Sequence, residues 1–145
     1  MRMYQMDHGW YFGVPDNWTA ERDSEDGHYL FFPPDSDLTL HFTPWRVEKE
    51  GQPAPAELMI GAFLRGIPED AAPLDKPACH LENFHVKVFA FSRKERGKKV
   101  FRRLVAYYAP GELLSVWIFG TSEQECDQAL EMLAGLQKDL RGNSQ

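Results

Sequence analysis

The apolar positions of this chain change rhythm several times, and each change predicts an element. Leu38, Leu40 and Phe42 alternate with Thr39, His41 and Thr43, the period of a strand with two unlike faces. The aromatic run from His28 to Phe32 predicts a strand before it, and the turn-forming Pro33-Pro-Asp-Ser-Asp37 between them makes the two a hairpin. Further upstream, Trp10 to Val14 reads as a shorter strand that stops at Pro15, because proline cannot donate to a sheet ladder. The acidic, glycine-containing stretch from Glu21 to Gly27 reads as a loop.

Helix-forming residues fill Ala56 to Leu64, with Gly66 as the natural stop. The next segment, 67–84, has three prolines and no sustained period, so a long connection that can hold one short strand is expected. Val86 to Ser92, Val100 to Tyr108 and Leu113 to Phe119 then predict a three-stranded meander. In the last of these, Leu114, Val116 and Ile118 point one way and Leu113, Trp117 and Phe119 the other, so both faces need cover. The closing helix opens on the capping box Ser122-x-x-Glu125 and carries Cys126, Ala129, Leu130, Leu133 and Leu136 at helical spacing before Gly142. Asn143 to Gln145 read as a loose tail.

The order β-β-β-α-β-β-β-α, without a βαβ rhythm, predicts an α+β fold built on a mainly antiparallel six-stranded sheet between helices. A chain of 145 residues fits one domain, 1–145, and can bury roughly 70% of its unfolded surface. Sixteen basic against 22 acidic residues give a net charge of −6, which disfavours nucleic acid as a partner. The first ten residues hold no apolar run of signal-peptide or membrane-helix length, so a cytoplasmic protein without a membrane partner is expected. Cys79 and Cys126 are then free thiols.

Candidate chemistry narrows the field further. A calcium loop at Glu21 to Gly27 fails on spacing, since anchoring its glycine on Gly27 puts Arg22 first and Pro33 twelfth where carboxylates are required. Cys79, His80 and His85 lack the second Cys/His pair of a zinc site, and the five histidines never take the i, i+4 helical spacing of paired ligands. Cys79 has a histidine neighbour but lies in a proline-rich connection with no family signature. Neither a G-x-S-x-G elbow nor a phosphate-binding or dinucleotide-binding glycine loop occurs. No catalytic residue, metal or cofactor is therefore assigned. The basic run Arg93 to Lys99 reads as a charged hairpin tip. Of the four tryptophans, Trp10, Trp18 and Trp117 are expected in the core, whereas Trp45 sits where its strand runs out.

Trp10-Tyr-Phe-Gly-Val-Pro-Asp-Asn-Trp18, the acidic loop, Tyr29-Leu-Phe-Phe-Pro33 and the strand-meander-helix ending together resemble the Mog1/PsbP-like superfamily, and within it small bacterial members of unknown function. That resemblance implies a three-layer αβα sandwich. It also implies protein binding, as in the members that contact photosystem II or a small GTPase. The expected function is thus a non-enzymatic protein-binding module, an adaptor, chaperone or immunity-type partner of another protein. The alternative is a small-molecule binder or enzyme with a pocket between sheet and helix. Hairpin pairing about Asp35 would bring Asp26 near Trp45 and Glu25 near Arg46, and these four residues form the expected partner-binding patch.

Overall fold

The computed structural model describes residues 1–23 and 25–139. Its strands are β1 (Arg2–Met6), β2 (Trp10–Val14), β3 (Thr19–Asp23), β4 (His28–Phe32), β5 (Thr39–Arg46), β6 (Glu48–Lys49), β7 (Gln52–Pro53), β8 (Ala72–Pro73), β9 (His85–Glu95), β10 (Lys98–Ala109), β11 (Glu112–Gly120) and β12 (Gln137–Lys138). The helices are α1 (Ala56–Arg65), between β7 and β8, and α2 (Glu123–Met132), between β11 and β12. None of the described helices is long and apolar enough to cross a membrane. The expected stop at Gly142 and the tail from Asn143 to Gln145 lie outside the described residues.

The main sheet has seven strands, in the order β3-β4-β5-β11-β10-β9-β8, and its pairings are antiparallel. This corrects the expected six. Trp10–Val14 leaves it and pairs instead with β1 and β12 in a separate three-stranded sheet. An unexpected strand, β3, takes one edge, and the short strand allowed for within 67–84, β8, takes the other. At one edge, the supposed acidic loop is strand as far as Asp23, laddered to β4 from Thr19↔Phe32 to Asp23↔His28. Its side chains are mostly exposed, so the sequence shows charge rather than alternation, and charge is what keeps an open edge from pairing with other chains. At the other edge, Ala72 and Pro73 pair with Ala90 and Phe89, a position where proline is tolerated because its missing N–H faces away from the ladder.

Alternation along the central strands sorts the side chains into two clusters. Leu114, Val116 and Ile118 of β11 join Val105 and Tyr107 of β10 in the larger one, which α2 enters with Cys126, Ala129 and Leu130 and β2 with Trp10, Phe12 and Val14. Leu113, Leu104 and Ala106, the intervening residues, meet Met59, Ile60 and Phe63 of α1 in the smaller. A ten-residue helix is too short to persist alone. Burial of those three side chains, worth about 1.5–3 kcal/mol each, holds α1 on the sheet.

Helix α2 begins as its capping box predicts, with Ser122 Oγ accepting from the Glu125 N–H at 3.2 Å. The reciprocal half is used elsewhere, because Glu125 accepts from the Ser36 hydroxyl at 2.7 Å. The helix also stops earlier than its apolar spacing suggests. Leu133–Gly135 forms a 3-10 turn, and Leu136 stays buried while the chain turns into β12.

Candidate functional site

Three backbone hydrogen bonds fix how the chain enters α1. Val47 N–H donates to the Gly111 carbonyl at 2.9 Å, Gly111 N–H to the Ala54 carbonyl at 2.6 Å, and Ala54 N–H to the Val47 carbonyl at 3.0 Å. Gly111 takes φ +77°, and a Cβ there would lie 2.8 Å from Pro53 Cβ, so both conformation and space demand glycine. The knot sets the start of α1 against the end of β5, and a groove of about 280 Å³ runs between helix and sheet. Trp45, Val47, Leu58, Phe63 and Trp117 line it, and among the described residues Ser115 is its only hydroxyl-bearing one.

The groove is open because one short helix covers part of a long sheet face. Trp45 is 49% exposed, Val47 41% and Leu58 64%. Phe63 is buried and meets Trp117 edge-on at 6.5 Å between ring centroids, which closes the inner wall. Trp10 is fully buried and Trp18 and Trp117 partly buried, so Trp45 is the tryptophan with the most open surface, as its place beyond the alternating run suggested.

The expected patch is not assembled as its register argument required. Tyr29↔Phe42, Leu30↔His41 and Phe31↔Leu40 have the predicted register. The chain before His28 does not continue along β5. Asp23 accepts from the Gly27 N–H at 2.9 Å through its carbonyl and from the Glu25 and Asp26 N–H groups through its carboxylate, closing a tight turn that returns the chain along β3. Glu25 and Asp26 are therefore exposed turn residues, and no described hydrogen bond or ion pair joins them to Trp45 or Arg46. Beyond Thr43 the partner of β5 is β11, with Trp45 opposite Leu113 and Arg46 opposite Glu112. Arg46 bonds the Glu112 carboxylate at 3.4 Å.

Glu112 in turn holds a lysine. Lys138 Nζ lies 2.7 Å from Glu112 Oε1, donates to the His8 carbonyl and sits 5.1 Å from the centre of the Trp10 ring. Its side chain is 3% exposed. This network lies on the opposite side of β5 and β11 from Trp45, so the two neighbours in sequence serve different surfaces.

The structure also pairs two histidines that linear spacing keeps apart. His28 and His41 meet edge-on at 4.5 Å between ring centroids, and His28 Nδ1 shares a 2.6 Å hydrogen bond with Thr43 Oγ1. Burial, and then the neighbouring His28, hold the His41 pKa below its ordinary value, while Asp23 opposes them. The β4–β5 register was the signal that could have found the pair, because it sets His28 opposite Thr43, two residues from His41. Among the described residues no group of three or more His, Cys, Asp or Glu is placed to hold a metal.

The cysteines are buried and free. Cys79 donates to the Leu130 carbonyl at 3.7 Å and Cys126 to the Phe101 carbonyl at 3.8 Å. Burial pushes each thiol up to about 11, leaving both protonated near neutral pH and unsuited to nucleophilic attack. At the hairpin tip, Arg93 is already engaged by both oxygens of Asp70, at 2.8 and 3.0 Å.

No protein-family model and no curated protein matches the chain. Solved structures do. A protein from Bacteroides thetaiotaomicron VPI-5482 is similar over 92% of this chain, with a TM-score of 0.67 and 14% identity. The match spans 46% of that longer protein, so this chain is about half its length. The fold is therefore one that nature has used elsewhere with a very different sequence. The solution structure of a cyanobacterial PsbP, CyanoP from Synechocystis sp. PCC 6803, is also among the matches, at a TM-score of 0.44 and 13% identity over 95% of this chain and 92% of that one.

Proposed function

We propose that this chain is a non-enzymatic protein-binding module, and that the groove between α1 and strands β5 and β11 takes an apolar side chain or short apolar segment of its partner. The observation that carries the reading is the clustering of exposed apolar surface. Trp45, Val47 and Leu58 stand side by side on one groove, and Leu64 follows on the same helix. Exposed large apolar residues that stand together, and an exposed tryptophan above all, are what partner surfaces favour. The opposing reading, a small-molecule or enzyme pocket, calls for convergent polar or titratable groups, and among the described residues Ser115 supplies the one hydroxyl.

The same proposal includes an αβα arrangement in three layers, supported by the separate clusters that α1 and α2 make with alternate residues of β10 and β11. It includes a cytoplasmic location, supported by two buried cysteines left unpaired. To test the groove, a photoreactive residue at position 58 is compared with one at position 128, an exposed place on α2, in the native cell. Partners crosslinked from position 58, absent from position 128 and lost when Trp45→Ala is added, support the reading. Identical products from both positions end it.

A further inference from the structure

We propose that the outward face of α1 pairs with the same face of a second copy of this chain, antiparallel, about a two-fold axis passing beside Gly61. The proposal goes beyond the groove reading and rests on different residues, Leu58 and Leu64 excepted. It begins from a symmetry within the helix. Glu57 and Arg65 stand four residues before and after Gly61, and Leu58 and Leu64 stand three before and after. At about 100° per residue, all four lie within roughly 60° of Gly61 around the helix. They form one outward face.

That face is open to solvent and carries two leucines between its charges. Leu58 is 64% exposed and Leu64 39%, and Glu57 and Arg65 are exposed with them. Helix α2, on the same sheet, turns Glu123, Gln124, Gln128 and Glu131 outward, the ordinary choice for a face that meets water. α1 departs from that choice. At Gly61 a Cβ would meet only the end of the flexible Arg65 side chain, whose guanidinium lies 3.8 Å away over the same spot, so a second helix approaches closely there once that side chain turns aside to its partner.

Turning a second helix end for end against this face brings like levels together. About 5 Å on either side of the centre, Glu57 and Leu58 of one copy come level with Leu64 and Arg65 of the other. Each end then carries one carboxylate opposite one guanidinium and one leucine opposite another. Among the described residues neither Glu57 nor Arg65 has an ion-pair partner within its own chain. A parallel pairing would set Glu57 against Glu57 and Arg65 against Arg65. Charge thus selects the antiparallel arrangement and selects the same chain as its own complement. Stable interfaces bury about 1,200–2,000 Å², more than two ten-residue helices supply, so the dimer forms in concentrated solution.

Sedimentation equilibrium over a concentration series reaching about 1 mM tests this. The mass should rise from that of the 16.7 kDa chain toward twice that value. Glu57→Arg alone, or Arg65→Glu alone, should weaken association about tenfold or more, and the double reversal should recover it by rebuilding both pairs with their signs exchanged. Circular dichroism melting confirms that each variant is folded. A wild-type chain that stays monomeric to the highest concentration overturns the proposal, as do single variants that associate like wild type or a double reversal that does not recover. Trp45→Ala should associate like wild type, so failure here leaves the groove reading standing, and the reverse holds too.

Discussion

Lys138 Nζ and Glu112 Oε1 lie 2.7 Å apart, joining the last described strand to the first residue of β11. The lysine side chain is 3% exposed and the carboxylate 21%, so neither charge can recover full hydration if its partner is removed. Lys138→Met should cost about 2 kcal/mol, below the full cost of orphaning a buried charge because Arg46 remains beside Glu112. Adding Glu112→Gln should cost less than the sum of the two single changes. Urea denaturation of the three variants measures the coupling.

Gly111 and Gly97 offer a matched pair. Both have positive φ, +77° and +81°, but a Cβ at Gly97 meets nothing within 4 Å while one at Gly111 lies 2.8 Å from Pro53 Cβ. Gly97→Ala should cost about 1 kcal/mol for its backbone alone, and Gly111→Ala about 1–2 kcal/mol more for the collision. Equal melting temperatures for the two variants would mean that the entry to α1 yields without penalty.

His41 should make the fold sensitive to mild acid. Its folded-state pKa is depressed by burial and by His28, so between the ordinary value of 6.5 and the lower folded value the unfolded chain binds more protons than the folded one. Stability is therefore unaffected well above pH 6.5 and falls as pH drops from there through the folded pKa. His8, depressed first by burial and then by Arg46, acts in the same sense. The lowered carboxylates Asp16, Asp37 and Asp70 act below their ordinary 3.8, in a separate window. Melting temperatures from pH 8 to pH 5 should decline, and His41→Gln should flatten the decline. An unchanged slope would locate the effect elsewhere.

What the sequence reveals of this fold depends on how much side-chain burial each element carries. Strands β4, β5, β9, β10 and β11 bury residues, so period or β-branched and aromatic runs announce them. β3 is an edge whose exposed charges mask a full ladder, and β8 and β12 are two-residue pairings with no room for a pattern. The site follows the same logic. Register arithmetic about Asp35 gives the β4–β5 pairs correctly. It misplaces Glu25 and Asp26 because it assumes that β4 and β5 remain partners beyond Thr43. A strand has two edges, and here the Asp23 turn sends the chain along the other one. Trp45 was legible because it follows the last alternating residue. The groove beside it was not, since it depends on where α1 lies, and the Gly111 to Pro53 approach that decides this joins residues far apart in sequence.

The small sheet also gives the protein a clock. Tyr11 and Trp10 of β2 pair with Gln137 and Lys138 of β12, across nearly the whole described chain. A ribosome adding roughly 5–20 residues per second needs about 6–25 s to pass from one partner to the other. For that interval the aromatic strand has β1 at one edge and nothing made yet for the other. β12, the last described strand, therefore completes a sheet whose other two strands have waited for it, and Trp10 and Phe12 lack their full cover until it arrives.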